Sequence, residues 1–159
     1  MLERNANADP DLVEYLIVTV PSLDALKSVT PAIAQLVASA QLRILDLVCL
    51  APTPEGGDEL VPLEVDEVTS IAALRYVDGE FGGLLSEGDV QMAALSLPRT
   101  GTSLLLLVED LRLAPLAAAA RACGGRILGG ERTPRSRVEA ALIGARPHVS
   151  TKNPDEPVR

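Results

Sequence analysis

The sequence predicts a single α+β domain, and two features of the chain support this prediction. Apolar runs of strand length alternate with segments of helical periodicity, in the order β-α-β-β-α-β-α-β-α. Two stretches also resemble each other: residues 15–50 read strand, helix and "LRILDL", and residues 103–132 read strand, helix and "GRILGG". This weak repeat predicts two β-α-β units, as in a ferredoxin-like sandwich, with a mostly antiparallel sheet that carries its helices on one face.

The first strands and the first helix are predicted from residues 13–50. Residues 13–20, "VEYLIVTV", are apolar and β-branched, which favours a buried strand. Ser22 or Thr30 is a suitable cap for the helix that follows, and Pro31 fits its first turn. The helix would have an apolar stripe formed by Ile33, Leu36, Val37 and Ala40. A second strand is predicted over 42–50, "LRILDLVCL".

The third strand is expected at an edge of the sheet. Residues 60–68, "LVPLEVDEV", alternate between apolar and polar side chains, which is typical of a half-exposed strand. Pro62 cannot donate a ladder hydrogen bond, so it favours an edge position. A turn over 52–59 precedes this strand, and a short helix over 69–77 follows it.

The second half of the chain supplies the remaining predicted elements. Ser86 and Asp89 have the spacing of a capping box and indicate the start of a helix. Residues 103–108, "SLLLLV", are apolar on both faces and predict a central strand. A helix over 112–123 follows, then a short strand near 126–132 and a last helix.

The domain is predicted to extend over residues 12–145. Residues 1–11 are expected to be a flexible leader without the order of a signal peptide, and residues 146–159 a disordered tail. The longest apolar runs, 104–108 and 113–120, are far shorter than the ~20 residues that span a bilayer. We therefore expect a cytoplasmic protein without membrane insertion.

The charge balance argues against nucleic acid as a partner. The chain has 22 acidic and 14 basic residues, a formal net charge of -8, and its aromatic residues are two tyrosines and one phenylalanine. Nucleic acids are bound largely through Lys and Arg and through stacking on aromatic rings. No nucleic-acid partner is therefore expected.

The sequence shows no residue pattern typical of a catalytic or metal site. Its single histidine, His148, lies in the predicted tail, away from any residue with which it could act. Cys49 and Cys123 lie among apolar residues, where we expect two reduced, buried thiols rather than a zinc site. We therefore predict a protein that is not an enzyme and that uses no metal or cofactor.

The glycine-rich stretch "CGGRILGG", residues 123–130, invites comparison with phosphate-binding loops. Its glycines follow a predicted helix and precede a predicted strand, which is the reverse of the order in a dinucleotide-binding loop. The C-terminal end of a helix is also the negative end of its dipole. Gly124 is instead expected to end the helix with a positive φ.

Three charged residues, Asp46, Glu109 and Arg126, are the candidate ligand contacts. Asp46 lies within an apolar strand, where a carboxylate needs a partner, an interface or exposure, and Arg43 or Arg126 could form an ion pair with it. Glu109 ends the predicted central strand, where ligand sites of α/β sheets often lie. Asp110 is expected to cap the next helix.

Three segments of the chain together resemble an uncharacterised bacterial family. They are "VTPAIAQLVASAQLRILDLVCL", "GGLLSEGDVQMAALSLPRTGTSLLLLVED", and "ACGGRILGGERTP" with the later "VEAAL", and the resemblance covers residues 13–145. The family consists of small proteins with a domain of unknown function, some described as membrane proteins with a glycine-rich hydrophobic insert. The resemblance implies a ferredoxin-like fold and self-association, and it brings no catalytic residues. In place of the insert, this chain has "IAALRYVDGEFGG".

Two hypotheses on function follow. The first is a non-enzymatic, cytoplasmic module that forms a homo-oligomer or binds a protein partner, in a regulatory or stress-related role. The alternative is a small-ligand sensor whose site lies in the cleft between the two β-α-β units, near Asp46, Glu109 and Arg126.

Overall fold

A four-stranded antiparallel sheet organises the chain from residue 13 to residue 110. The computed structural model describes residues 8–64, 68, 71, 74, 83–130 and 135–144. In chain order, the strands are β1 (Val13–Val20), β2 (Leu42–Pro52), β3 (Leu60–Leu63) and β4 (Thr102–Asp110). The helices are α1 (Leu26–Ala38), α2 (Glu87–Ser96), α3 (Ala114–Ala122) and α4 (Arg135–Gly144). The predicted α+β class and the antiparallel sheet are confirmed.

The chain divides into two units, residues 1–128 and residues 129–159. The first unit contains the whole sheet and helices α1 to α3. In the second unit, helix α4 carries an ion pair between Arg135 and Glu139, one turn apart, at 2.6 Å. Pairs at this spacing add a few tenths of a kcal/mol to an isolated helix.

The spatial order of the strands is β1-β4-β2-β3, so β4 occupies the central position predicted for residues 103–108. It pairs antiparallel with β1 on one side and with β2 on the other. Leu104, Leu105 and Leu106 are all buried. A strand with buried side chains on both faces needs cover on both faces.

The helices provide this cover from both sides, so the prediction that they lie on one face is wrong. Successive residues of a strand point to opposite faces, which separates Leu104 and Leu106 from Leu105. Helix α1 packs on the first face, where Leu26 joins the cluster of Leu104 and Leu106. Helix α2 packs on the second face, where Ala93 joins the cluster of Leu105.

The prediction of two β-α-β units is not confirmed. β1, α1 and β2 form the first unit, and β4 lies between its two parallel strands. The strand that would close the second unit was predicted near 126–132. Residues 126–130 form no strand, and residues 131–132 lie outside the described residues. The ferredoxin-like arrangement is therefore not confirmed.

Of the two edge strands of the sheet, β3 was predicted correctly and β1 was not. β3 is an edge strand, as expected from Pro62, although it ends at Leu63 and residues 65–67 lie outside the described part of the chain. β1 forms the other edge, whereas the sequence predicted a buried strand. No residue of 13–19 is buried, and Tyr15 and Ile17 are exposed. An apolar, β-branched run therefore marked a strand correctly without revealing that, among the described residues, β4 is its one neighbouring strand.

The start of helix α1 also differs from the prediction. α1 begins at Leu26, so Pro31 lies inside the helix and does not occupy its first turn as predicted. The Thr30 hydroxyl donates a hydrogen bond of 2.9 Å to the Leu26 carbonyl and is therefore not the helix cap. Of the helix predicted over 69–77, Ile71 and Leu74 are helical and buried, and the other positions lie outside the described residues.

Gly124 ends α3 as the sequence predicted. Its φ is 80°, and its N–H donates to the Arg121 carbonyl at 3.0 Å. The N–H of Gly125 donates to the Ala120 carbonyl at 2.8 Å. These two bonds form a Schellman motif, which favours glycine at the residue with positive φ.

Helix α1 ends with the same pair of bonds but without the glycine. The N–H groups of Ala40 and Gln41 donate to the carbonyls of Val37 and Leu36, each at 3.0 Å. Ala40 has a φ of 54°, a left-handed conformation that costs an L-residue roughly 1–2 kcal/mol. The two helix ends thus share the same pair of backbone hydrogen bonds, and the residue with positive φ is alanine in one and glycine in the other.

Replacing Ala40 by glycine is therefore expected to raise the free energy of unfolding by about 1 kcal/mol, because glycine adopts a positive φ without strain. The reciprocal change Gly124→Ala is expected to lower it by about the same amount. Urea denaturation of the two variants and the parent protein measures both effects. A loss of stability in Ala40→Gly would contradict the positive φ at this position.

Candidate functional site

Asp46 is buried at 4% exposure, and both of its carboxyl oxygens accept hydrogen bonds from backbone amides. One oxygen accepts from the N–H of Leu47 at 2.8 Å, and the other accepts from the N–H of Leu85 at 2.7 Å. Leu85 lies immediately before the cap of α2 and packs against the cluster around Leu105. Asp46 therefore ties the segment that leads into α2 to the sheet.

Asp46 also lies beside an irregularity of β2. The pairing of β2 with β4 shifts between Ile44 and Asp46, which leaves Leu45 as an extra residue in β2. A β-bulge of this kind bends the strand and changes the direction of the next side chain. The sequence identified Asp46 as a residue in need of a partner, but the partners are backbone amides and neither of the two arginines that were considered.

Glu109 lies at the end of β4 and is likewise buried at 4% exposure. Its carboxylate forms an ion pair with the guanidinium of Arg43, the residue directly opposite on β2. Its other oxygen accepts a hydrogen bond of 3.0 Å from the backbone N–H of Asp9. Glu109 thereby joins β2, β4 and the segment that precedes β1.

Arg126 belongs to a cluster of ion pairs at residues 9–11, which the sequence had assigned to the leader. Its guanidinium lies 2.9 Å from the carboxylate of Asp11. Arg121 pairs with Asp9 and lies 3.2 Å from Asp11. The hydrogen bond from Arg121 lowers the pKa of Asp9 below its ordinary value. Residues 9–11 are therefore held against the end of α3 and the segment that follows it.

The structure brings two of the three candidate ligand contacts into one neighbourhood. Glu109 contacts Asp9 and Arg126 contacts Asp11, so both act on the same short segment before β1. The hydrogen bonds of Asp46 are instead made to Leu47 and Leu85. Each of the three residues has a partner within the chain, and their assignment as ligand contacts stays a prediction.

The predicted cap at Ser86 is confirmed, whereas Asp110 caps a 3-10 turn, Leu111–Leu113, and not α3 itself. The Ser86 hydroxyl accepts a hydrogen bond from the N–H of Asp89, and the Asp89 carboxylate accepts from the N–H of Ser86, which is a capping box. Asp110 caps the turn that leads into α3, since its carboxylate accepts from the N–H of Arg112 at 3.1 Å. The same carboxylate pairs with the Arg112 guanidinium, and this hydrogen bond lowers the pKa of Asp110.

The two cysteines have different surroundings, so the prediction of two buried thiols is wrong for one of them. Cys49 is fully buried in the main core cluster, and burial raises the pKa of its thiol to about 11. Cys123 is exposed at the end of α3. Apolar neighbours in the sequence therefore did not indicate burial here, because Cys123 lies at the exposed C-terminal end of α3.

A disulfide reagent at pH 8 is therefore expected to modify the exposed thiol of Cys123 rapidly, and the variant Cys123→Ser is expected to lose this rapid reaction. Cys49 should react at the rate of unfolding, because the thiolate is the reactive form and burial disfavours it. Absorbance of the released thiolate of the reagent measures both phases, with 6 M urea as the fully reactive control. Two rapid equivalents in the folded protein would contradict the burial of Cys49.

Two concave surfaces flank α2. The larger groove lies between α2 and β3 and has a volume of about 1090 Å³, with Leu50, Leu60 and Val90 among its apolar residues and Arg99 as a cationic one. The smaller groove lies between α2 and β1 and has a volume of about 530 Å³. Among the described residues, no group of His, Cys, Asp or Glu side chains could hold a metal ion.

The smaller groove is bordered by exposed apolar side chains, which we call the β1–α2 patch. The patch consists of Tyr15, Ile17, Leu84 and Met92. Tyr15 and Ile17 on β1 are 42% and 43% exposed, and Met92 on α2 is 68% exposed. Contiguous apolar surface of this kind often marks a site of interaction with another molecule.

Comparisons with protein-family models, curated proteins and solved structures find no match for this chain. The resemblance of three segments to a bacterial family therefore stays a prediction. Within the described part of the chain, no helix is both long enough and apolar enough to cross a membrane.

The sequence reasoning missed the β1 edge and its patch. One signal was present: Tyr15 and Thr19, two residues with hydroxyl groups, lie on the same face of the strand at period two, with Ile17 between them. The largely apolar and β-branched character of residues 13–20 outweighed this signal. The exposure of Met92 and Leu84 could not be read from their local pattern.

Proposed function

We propose that the protein is a non-enzymatic association module that joins a second copy or a protein partner through the outer edge of β1. The observation that carries this proposal is an edge strand of eight residues that pairs with β4 on one side and, within the described residues, with no strand on the other. An edge strand of this kind offers a row of backbone donors and acceptors to an incoming strand.

The composition of β1 supports this role. Natural edge strands are commonly protected by proline, lysine, a bulge or short length. β1 has a single charged residue, Glu14, and it pairs with β4 in unbroken register from Val13 to Val20. The other edge, β3, has four residues and contains Pro62, so it is protected. The two edges of the sheet therefore differ in their capacity to accept another strand.

The β1–α2 patch supports the same role. A strand added to the edge of β1 would place its side chains beside Tyr15 and Ile17, since cross-strand neighbours share a face. The patch would then be covered on the side that is now open. Burial of apolar surface contributes roughly 25 cal/mol per Å², which adds to the backbone hydrogen bonds of the new strand pair.

The other predictions about function that were made from the sequence are kept beside this proposal. They are a regulatory or stress-related role, a cytoplasmic location, membership in the uncharacterised bacterial family and a ferredoxin-like fold, and all of them stay proposals. The small-ligand alternative has less support, because Asp46, Glu109 and Arg126 already have partners within the chain.

Association is expected to be lost in Ile17→Lys and retained in Leu95→Lys. Both changes replace an exposed apolar residue by lysine, but Ile17 lies on β1 and Leu95 lies on α2 beside the larger groove. Sedimentation velocity at 1–100 μM measures the assembly of each variant, and circular dichroism verifies its folding. Affinity capture with each variant as bait tests for a foreign partner in the same way. Loss of association in Leu95→Lys but not in Ile17→Lys would reject β1 as the binding edge.

A further inference from the structure

We infer that the strand that pairs with β1 is β1 of a second copy, antiparallel to the first and centred on Leu16. This inference rests on the proposed association function and specifies its partner. Two identical edge strands can pair about a two-fold axis perpendicular to the sheet, which gives an antiparallel, isologous contact. The two sheets would then form one continuous sheet of eight strands.

The two-fold axis limits the registers that are available. In an antiparallel pair, directly opposite residues point to the same face, so a residue on one face of β1 must oppose a residue on that same face of the second copy. Every allowed register is therefore centred on a residue that faces its own equivalent. Residues at equal distances on either side of that centre become reciprocal partners.

The exposed side chains of β1 select Leu16 as the centre. In this register, Tyr15 lies directly opposite the second copy's Ile17, and Ile17 lies opposite the second copy's Tyr15. These two residues are the exposed apolar positions of β1 within the patch. A pair of an aromatic and a β-branched residue is among the favourable cross-strand combinations. The surface is therefore complementary to itself, a property that pairing with a foreign strand does not require.

The charge and the ends of β1 agree with the same register. Glu14 would oppose Val18, so the single charge of β1 avoids its own equivalent, and like charges directly opposite are destabilising. The paired segment would run from Val13 to Thr19 in each copy. It would end before Pro21, which has no N–H to donate to the ladder.

The β1–α2 patches of the two copies would also become continuous. A two-fold axis perpendicular to the sheet keeps equivalent faces on the same side. Helix α2 of each copy packs on the face that carries Leu105, which is the face of Tyr15 and Ile17. The two patches would therefore meet across the axis and cover each other in part.

Disulfide cross-linking tests the register. In a Cys123→Ser background, Leu16→Cys is expected to form a disulfide-linked dimer at least tenfold faster than Val18→Cys. Opposite Cα atoms in an antiparallel pair lie about 4.5–5.5 Å apart, which suits a disulfide. Two copies of residue 18 would lie about 14 Å apart along the strands, beyond that reach. Leu16 and Val18 both pack in part against the same core cluster, which makes the second variant a matched control.

A second pair of variants covers the case in which Leu16→Cys does not fold. Tyr15→Cys and Ile17→Cys change exposed positions, and when mixed they are expected to form the 15–17 heterodimer in preference to either homodimer.

Equal cross-linking of Leu16→Cys and Val18→Cys, or no preference in the mixture, would overturn the inference. If the parent protein still associates in that case, the association function stands with another surface or register. A parent protein that is monomeric at 100 μM in 0.5 M NaCl also overturns the inference and leaves only a foreign partner for the proposed function.

Discussion

Replacement of Asp46 by alanine is expected to lower the free energy of unfolding by about 3 kcal/mol. The change removes the acceptors of two backbone N–H groups, those of Leu47 and Leu85, at a buried position. A buried donor that loses its partner costs roughly 1–3 kcal/mol. Because the bond to Leu85 crosses 39 positions of the chain, its loss also frees the segment that leads into α2. The urea midpoint, measured by circular dichroism, reports the effect.

Asp46→Asn is the matched control for this prediction. The amide of asparagine retains one carbonyl oxygen of the same geometry, so it can satisfy one of the two donors. We therefore expect a loss of about 1–2 kcal/mol, intermediate between the parent protein and Asp46→Ala. If all three proteins unfold at the same urea concentration, the carboxylate does not anchor the segment before α2.

Replacement of Gly101 by alanine is expected to cost about 3 kcal/mol. Gly101 has a φ of 90°, and a Cβ atom built on it would lie 2.4 Å from the carbonyl oxygen of Val20. The positive φ alone costs an alanine roughly 1–2 kcal/mol, and an overpacked contact adds a similar amount. The neighbouring atom belongs to the backbone at the end of β1, so it cannot move aside as a side-chain tip would.

Gly56→Ala separates the two causes of that loss. Gly56 has a φ of 75°, but no atom beyond its two neighbours in the chain lies within 4 Å of the position that a Cβ would occupy. We therefore expect a loss of about 1 kcal/mol, which is the cost of the positive φ without the clash. Thermal unfolding of both variants gives the comparison. Equal losses in the two variants would show that β1 and Gly101 do not approach each other so closely.

Local signals in the sequence predicted the local features of the fold. The capping box at Ser86 and Asp89, the glycine end of α3 at Gly124 and the cap at Asp110 each depend on residues within a few positions of one another. Such interactions are encoded in short stretches, so that spacing and residue type suffice to find them. The central position of β4 was equally accessible, because its side chains are apolar on both faces.

Features that depend on distant segments were not accessible in this way. The sequence showed that Asp46 needs a partner, but the amide of Leu85 lies 39 positions away and carries no compositional signal. The order of strands, the two covered faces and the edge position of β1 follow from how segments pair in space. An apolar run such as residues 13–20 is compatible with either a central or an edge strand. The sequence therefore pointed to three charged residues as the candidate site, whereas the structure draws attention to the surface of β1.

The molar mass of the parent protein in solution tests the central claim most directly. Each copy has a formal net charge of -8, so two copies repel each other, and added salt should strengthen an apolar, hydrogen-bonded contact between them. We predict that light scattering at 100 μM in 0.5 M NaCl gives twice the chain mass of 16.7 kDa, with a shift toward the monomer in 0.05 M NaCl. A mass of 16.7 kDa at every protein and salt concentration would contradict the pairing of β1 with a second copy.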